Sequence, residues 1–297
     1  MPMRALESTA VAGTNRSSNY FGWRAALVVS VFFALILFAV PHLTPYRVTE
    51  LAGEPLQPPS WAHLLGTNMV GQDIASQMVS GAQASLFVAL FAGCGTLLLG
   101  GLAGMISGLA GGNTDMALMR LVDLVLIIPK LPLLILVGTY AGQDLTTVAI
   151  VIALISWPSS ARMVRSQVLS LRRRTHLKAA MGFGAGIFYI LRRHVIPEVG
   201  LILVAGLVAA AGRAVMLEAG LAFLGLGDPS RASWGSIMRD ALNFQGLFFT
   251  AAWAWWLMPP LISIISLLLG LTFFGVAIEQ RINPRLIRHQ ATNGQHA

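Results

Sequence analysis

Long apolar runs constrain the fold of this chain more than any other feature. Six of them are recognisable in the sequence, at about residues 25–40, 86–109, 116–139, 147–164, 199–224 and 251–278. A helix needs ~20 apolar residues to cross the hydrocarbon core of a bilayer, and most of these runs reach that length. The expected fold is therefore an all-α membrane protein with about six transmembrane helices.

The charged residues support this class. They make up 11% of the chain, whereas soluble domains carry roughly 25%. A net charge of +8 could suggest a nucleic-acid partner. However, the basic residues cluster beside the apolar runs, as in the cytoplasmic loops of membrane proteins. We therefore expect contact with membrane lipid and none with nucleic acid.

The positions of Lys and Arg predict the orientation. With both termini in the cytoplasm, 15 of the 20 basic residues are cytoplasmic, three are external and two lie within spans. The cytoplasmic set is Arg4, Arg16, Arg24, Arg120, Arg162, Arg165, Arg172, Arg173, Arg174, Lys178, Arg192, Arg193, Arg281, Arg285 and Arg288. The external set is Arg47, Arg231 and Arg239. Because cytoplasmic loops are enriched in Lys and Arg, this arrangement is the expected one.

Three regions follow from this topology. Residues 1–80 hold a cytoplasmic tail, the first span and a Pro-rich extracytoplasmic segment, residues 81–280 form the main transmembrane domain, and residues 281–297 form a second cytoplasmic tail. No A-x-A site follows the first run, so we expect a retained signal anchor.

Three segments outside the predicted spans also have expected positions. Residues 71–85 show helical periodicity and are expected to lie along the membrane surface. Residues 225–250 are expected to form an outer loop that dips back toward the membrane. Tryptophans are enriched at membrane interfaces, so an interfacial belt is expected at Trp253, Trp255 and Trp256.

Small residues at a spacing of four form a stripe in the second span. Gly100, Gly104 and Gly108 are continued upstream by Thr96 and Ala92. Because small side chains let helices approach closely in a membrane, we interpret the stripe as a packing surface.

The sequence lacks the motifs of several enzyme classes. A phosphate-binding loop requires Gly-Lys-Ser/Thr, but the two lysines, Lys130 and Lys178, follow Pro and Leu. There is no H-E-x-x-H motif, the six histidines form no metal-binding pattern, and the single cysteine, Cys94, excludes a disulfide within the chain. We therefore expect no catalytic activity, metal or cofactor in this chain.

Residues 171–197, LRRRTHLKAAMGFGAGIFYILRRHVIP, differ from every apolar run. The stretch is rich in Arg and carries small residues where a span would carry Leu and Ile. We interpret it as a cytoplasmic docking element.

This stretch resembles the signature loop of permeases of binding-protein-dependent ABC importers. The family pattern is Glu-Ala-Ala, three residues, Gly, nine residues, and an apolar stretch ending in Pro. Here it reads Lys178-Ala179-Ala180, Gly184 and His194-Val195-Ile196-Pro197. Five further segments resemble the C-type permease of dipeptide, oligopeptide and nickel importers, in the family's order: HLLGTNMVGQDI (63–74), MRLVDLVLIIP (119–129), SWPSSARMVRSQVLSLR (156–172), EAGLAFLGLG (218–227) and SWG (233–235).

The resemblance implies a fold, a function and partners. It implies a type I ABC importer transmembrane domain in the bacterial inner membrane, importing peptides or a related small solute. A second homologous permease would complete the pathway, two ATPase subunits would dock on the cytoplasmic side, and an extracytoplasmic binding protein would deliver the solute. The implied coupling residues are Arg172, Lys178, Ala179, Ala180, Gly184, His194 and Pro197.

The residues of the loop fit such a role. We expect a short helix around residues 177–184, parallel to the membrane, whose small side chains let it enter a cleft on a partner. Gly184 permits the turn out of that helix, and the arginines can pair with acidic groups or anionic lipid. Lys178 departs from the family, which usually has Glu there, so its partner is not implied. The alternative is a solvated basic loop held by lipid charge alone.

Four charged residues fall within predicted spans: Asp123, Lys130, Arg213 and Glu218. Each charge in hydrocarbon costs about 2.5–3.5 kcal/mol on insertion scales, so these side chains should face protein or water. Asp123 and Lys130 are seven apart and would share a helical face. Two interpretations remain open: the carboxylates tie helices together, or the four residues line a translocation path in which Lys130 and Arg213 attract an anionic group.

Two other functions are considered beside a peptide importer. A nickel or metal-chelate importer is the alternative within the same class. A secondary transporter belongs to another class, would need no ATPase, and would have no use for the Ala-Ala-Gly loop.

Overall fold

The computed structural model describes residues 46–140 and 142–282, and it is helical almost throughout. The first apolar run at residues 25–40, the tail before it and residues 283–297 lie outside this range. Within the described ranges, extended pairing is limited to two isolated bridges, Leu51 with Gln72 and Thr67 with Asp73.

The helices are numbered in chain order. They are α1 (Ile74–Ala110), α2 (Gly112–Ile127), α3 (Lys130–Tyr140), α4 (Leu145–Arg172), α5 (Thr175–Gly182), α6 (Ile187–Ile190), α7 (Ile196–Phe223), α8 (Trp234–Asn243) and α9 (Met258–Ile282). A π-helical turn, Leu191–Val195, joins α6 to α7, a second, Trp253–Leu257, precedes α9, and a 3-10 turn, Leu247–Phe249, follows α8.

Four helical segments of the described chain are long and apolar enough to cross a membrane. They are Ile74–Ala110, Leu145–Arg172, Ile202–Phe223 and Trp253–Ile278, and the bent pair α2 and α3 makes a fifth if counted as one span. These five match the predicted runs from the second to the sixth. The prediction of an all-helical membrane protein is confirmed, while the first predicted span falls outside the described residues.

The third predicted span, residues 116–139, is wrong as a single helix. Helices α2 and α3 meet at an angle of 81°, with Ile128 in an extended conformation (φ −72°, ψ 123°). The cause is Pro129, which lacks an N–H donor and disfavours helical geometry in the residue before it. Asp123 and Lys130 therefore lie on different helices and do not share a face.

The prediction that residues 71–85 lie apart from the spans is also wrong. Helix α1 begins at Ile74, and Asp73 caps it by accepting hydrogen bonds from the Ser76 amide at 2.8 Å and the Ser76 hydroxyl at 2.7 Å. Its first turns then continue without a break into the span. They pack inside the protein, where a Cβ at Gly81 would lie 2.6 Å from the indole of Trp234.

Helices α1 and α4 are in close contact along the predicted glycine stripe. A Cβ atom at Gly100 would lie 2.5 Å from the carbonyl oxygen of Trp157. A Cβ atom at Gly104 would lie 2.5 Å from the carbonyl oxygen of Ala161. One turn further on, a Cβ atom at Gly108 would lie 2.8 Å from the side chain of Val168 and 3.4 Å from the carbonyl oxygen of Arg165. The stripe is therefore confirmed as a surface where backbones meet without side chains between them.

The segment between α7 and α9 folds onto the end of the bundle where α1 begins. Trp234 and Ile237 of α8 are buried in one apolar cluster with Ile74 and Trp256. The expected interfacial belt is wrong for Trp256. This side chain is fully buried because α8 covers it, whereas Trp253 is partly exposed.

The glycine stripe gives a test of the fold. We expect Gly104→Ala to destabilise the protein by about 1–3 kcal/mol, because the added methyl group meets backbone atoms that cannot rotate away. The readout is the apparent melting temperature in detergent. The matched control is Gly101→Ala, one residue away, where the nearest atom to a new Cβ is Leu203 Cδ2 at 3.6 Å. Equal melting temperatures for the two variants would contradict the packing described here.

Candidate functional site

The basic stretch folds into a compact element between two spans. Helix α4 continues to Arg172, two residues lead into α5, and residues 183–186 turn the chain into α6 and, through the π-helical turn, into α7. The short helix predicted around residues 177–184 is present as α5. Gly184 has φ +82°, a conformation that favours glycine, so it makes the predicted turn. We call the end of the bundle that carries this element the basic end.

One side chain of α5 attaches the element to the bundle by apolar contact. Leu177 has 0% exposure and lies in a cluster with Leu171, Ile190, Val195 and Val199. Because these residues come from α4, α6, the π-helical turn and α7, the cluster seats α5 where the two spans converge.

The predicted coupling residues are divided between the surface and the interior. Lys178, Ala179, Gly184 and Pro197 are exposed and Ala180 is partly so. Nothing lies within 4 Å of a Cβ built at Gly184, so the surface there is low and open. Within the described part of the chain Lys178 has no ion-pair partner.

Arg172 and His194 instead contact the protein itself. Arg172 Nη1 donates to the carbonyl oxygen of Gly108 at 3.0 Å, which ties the end of α4 to the end of α1. The His194 ring lies beside those of Tyr189 and His176, with centroids 5.9 and 6.1 Å away. Both side chains therefore brace the element.

Sequence reasoning missed the large apolar side chains on this surface. Phe183 is 92% exposed and Phe188 75%, and Ile187 and Tyr189 are more than half exposed. Contiguous exposed apolar side chains mark sites of contact with another protein or with the membrane. The signal was the run GFGAGIFYI between two groups of basic residues, but in so apolar a chain the aromatic residues did not stand out.

Sequence reasoning also missed an ionic network at the base of α5. Glu198, in the first turn of α7, accepts a hydrogen bond from Arg174 Nη1 at 2.7 Å. Its other oxygen lies 2.9 Å from His176 Nε2. One carboxylate at the start of α7 thus holds both Arg174, which leads into α5, and His176, which belongs to α5.

Two further ion pairs join spans at the basic end. The carboxylate of Asp115, in α2, accepts hydrogen bonds from Arg165 Nε and Nη2, each at 2.6 Å, and also from the Ser107 hydroxyl. Asp123 accepts a hydrogen bond from Arg162 Nη2 at 2.5 Å, and both side chains are about half exposed. Helix α4 is therefore fastened to α2 at two levels.

The four charged residues of the predicted spans separate into two kinds. Asp123 is paired with Arg162, and Glu218 is buried, at 3% exposure, within hydrogen-bonding distance of Ser85 Oγ at 3.4 Å. Lys130 lies within electrostatic range of Arg213. The described part of the chain gives neither of these two cations a carboxylate partner.

Arg213 borders a cleft between α7 and α9. The cleft has a volume of about 470 Å³ and is lined mainly by apolar and small side chains. Its lining includes Gly212, Met216, Leu268 and Thr272. The arrangement can receive a solute with an anionic group beside an apolar wall. Among the described residues, no three His, Cys, Asp or Glu side chains are grouped so that they could hold a metal ion.

Comparison with known proteins identifies a family of transport components. The model of the family described as binding-protein-dependent transport system inner membrane component matches residues 100–288. A peptide permease protein of Brucella suis biovar 1 is 35% identical over 276 residues, covering 91% of this chain and 90% of that protein. The oligopeptide transport system permease proteins OppC of Mycobacterium tuberculosis and Bacillus subtilis are 33% and 32% identical, over 87% and 88% of this chain and 90% and 84% of their own lengths.

The Asp115–Arg165 pair gives a test of the basic end. We expect Asp115→Asn to lower stability by about 1–3 kcal/mol, because a charge-assisted contact is lost and a partly buried guanidinium keeps no anion. The measurement is the melting temperature in detergent. In the control variant, Asp240→Asn, an exposed contact with Arg239 is lost, which should cost about 0–1 kcal/mol. A similar drop in both variants would show that the Asp115 pair contributes no more than a surface contact.

Proposed function

The chain belongs to the family of binding-protein-dependent transport system inner membrane components, and from that premise we propose that it pairs with a second permease to form the pathway of an ATP-driven peptide importer. As a member it is a permease component of an ABC transporter and a multi-pass membrane protein, with the type I transmembrane fold. The peptide substrate is carried over from the relatives, which are peptide and oligopeptide permeases.

The proposal places ATP on separate subunits. The family resemblance implies two ATPase subunits that supply the energy from outside the chain, and the lack of a phosphate-binding loop in this sequence is consistent with that. A binding protein delivers the solute at the opposite end of the bundle. The chain itself holds no cofactor and performs no catalysis.

The proposed orientation puts the basic end in the cytoplasm. Arg162, Arg165, Arg172, Arg174 and Lys178 all lie at that end of the described bundle, on α4, α5 and the residues that join them. The positive-inside rule supports this direction. Both termini are then cytoplasmic, and the basic end faces the compartment that contains ATP.

The exposed surface of the docking element, residues 171–197, is the proposed docking surface for an ATPase. We define it by Lys178, Ala179, Phe183, Gly184 and Phe188. The observation that carries the proposal is the pair of phenylalanines, of which Phe183 is 92% and Phe188 75% exposed in the described chain. Aromatic side chains of this kind anchor interfaces when they enter a pocket on a partner, and the low surface around Ala179 and Gly184 lets that partner approach.

The position of α5 explains how such a partner could move the spans. The element is continuous with α4 on one side and with α7 on the other. A displacement of α5 therefore acts on the connections to two helices that cross the membrane. Rigid-body movement of this kind is how ligand-driven transporters change state.

Lys130 and Arg213 are the proposed charged residues of the pathway. Two cations without a carboxylate partner in the described residues create a positive potential beside the apolar cleft. A free peptide has a C-terminal carboxylate that would be attracted to it, and its side chains would contact the apolar wall. Asp123 and Glu218 already have partners, so we assign them no contact with the solute.

Docking is tested by removing one aromatic anchor. Phe183→Ser should reduce co-purification of the ATPase subunits by at least about tenfold, the effect of losing a typical interface hot spot of about 2 kcal/mol. Phe249→Ser is the matched control, because Phe249 is 93% exposed but lies at the opposite end. Unchanged recovery of ATPase with Phe183→Ser would overturn the docking surface.

The pathway is tested with one peptide in two forms, as the free acid and as the C-terminal amide. In reconstituted transporter with saturating binding protein, the wild type should favour the free acid. Arg213→Met and Lys130→Met should weaken that preference, because each removes part of the positive potential. Arg231→Met, outside the cleft, is the control. An unchanged preference in assembled Arg213→Met and Lys130→Met transporters would contradict the assignment.

A further inference from the structure

Glu198 has an unusual position in the sequence. It is the only acidic residue between Asp144 and Glu218, a stretch that contains nine Lys and Arg residues. Glu198 is therefore the only acidic residue near the basic residues of the docking element in the sequence. The fold brings this carboxylate directly to the base of α5.

Both carboxylate oxygens of Glu198 contact the docking element. One accepts from Arg174, the residue before α5, at 2.7 Å. The other lies 2.9 Å from His176, in the first turn of α5. Because Glu198 is in the first turn of α7, its contacts connect the start of α5 to the span that carries Arg213.

The other attachments of α5 are apolar or aromatic: Leu177 and Met181 pack in one apolar cluster, and the His176 ring lies beside that of His194. Leu177 is held by apolar packing, which is not directional. The turn after α5 is closed by backbone hydrogen bonds, such as that from the Gly184 N–H to the Met181 carbonyl oxygen at 3.0 Å. Its outer surface is open, since no atom lies within 4 Å of a Cβ built at Gly182, Gly184 or Gly186. Among the described residues, the contacts of Glu198 are the hydrogen bonds that join the start of α5 to α7.

We propose that Glu198 is a positioning residue that fixes the angle between α5 and α7, so that movement of the docked ATPase reaches the pathway. The inference rests on the proposed function of α5. The partly exposed contact between Glu198 and Arg174 contributes little to stability, since surface ion pairs are worth about 0–1 kcal/mol. The role of Glu198 is therefore in coupling, and its loss should leave a folded protein.

Coupling is measured as solute imported per ATP hydrolysed in the complete reconstituted transporter. Glu198→Gln should bind ATPase subunits normally and hydrolyse ATP, but its ratio should fall by about tenfold, within the usual range of coupling free energies. Glu198→Asp, which keeps the carboxylate, should recover part of the ratio. Asp123→Asn is the control: it removes another arginine–carboxylate pair at the same end, one whose carboxylate is more exposed than Glu198, without touching α5, and should leave the ratio unchanged.

A cross-link tests the positioning role itself. Cys94, the only cysteine, is replaced by Ala, and Arg174→Cys and Glu198→Cys are introduced together. The uncross-linked protein should be uncoupled, and a short cysteine-reactive cross-linker should restore the ratio.

Two results would overturn the role of Glu198. One is a normal ratio in Glu198→Gln with ATPase bound, and the other is a cross-linked protein that stays as uncoupled as the uncross-linked one. Failure of the wild-type chain to bind any ATPase would instead contradict the proposed function.

Discussion

The close contact between α1 and α4 is the constraint on which the rest of the structure depends. Gly100 and Gly104 bring the two backbones together, and Gly108 extends the contact to the side chain of Val168. Since hydrocarbon gives helices no hydrophobic reason to associate, such close packing is a main source of their attraction. The end of α4 therefore has a defined position beside α1, and Arg172 reaches the carbonyl oxygen of Gly108. A basic element attached to a poorly held helix could not transmit movement.

Some charged side chains of the described residues join helices through ion pairs, and others have no partner of opposite charge. At the basic end, Asp115, Asp123 and Glu198 each accept from an arginine of a different segment and fix helices to one another. Glu218 is buried near Ser85, at a contact between α1 and α7. Lys130, Arg213 and Lys178 are among the cations that have no carboxylate partner in the part of the chain that the structure describes. Charge left free in this way is available to a solute or to another subunit, and these residues lie at the two surfaces where the proposed function requires it.

Much of the architecture could be predicted because the bilayer imposes simple rules on sequence. Run length gave five of the spans in the described residues, and small-residue spacing gave the α1–α4 contact. The Ala-Ala-Gly pattern located α5 and its turn. Two predictions were wrong because hydropathy does not determine helix geometry. Pro129 bends an apolar run that is continuous in the sequence, and residues 71–85 extend a span into less apolar sequence. The burial of Trp256 was misjudged because the residues that cover it belong to a separate helix, α8. The contacts of Glu198 were missed because its partners, Arg174 and His176, are distant from it in the sequence.

The central claim is that the basic element, and not lipid charge alone, engages the energy source of transport. Site-specific photo-cross-linking from Ala179, in membranes that contain the complete transporter, tests it most directly. The account predicts an adduct between this chain and an ATP-binding subunit, absent when the same probe replaces Phe249. Adducts with lipid alone from position 179 would contradict it and leave the element as a solvated basic loop.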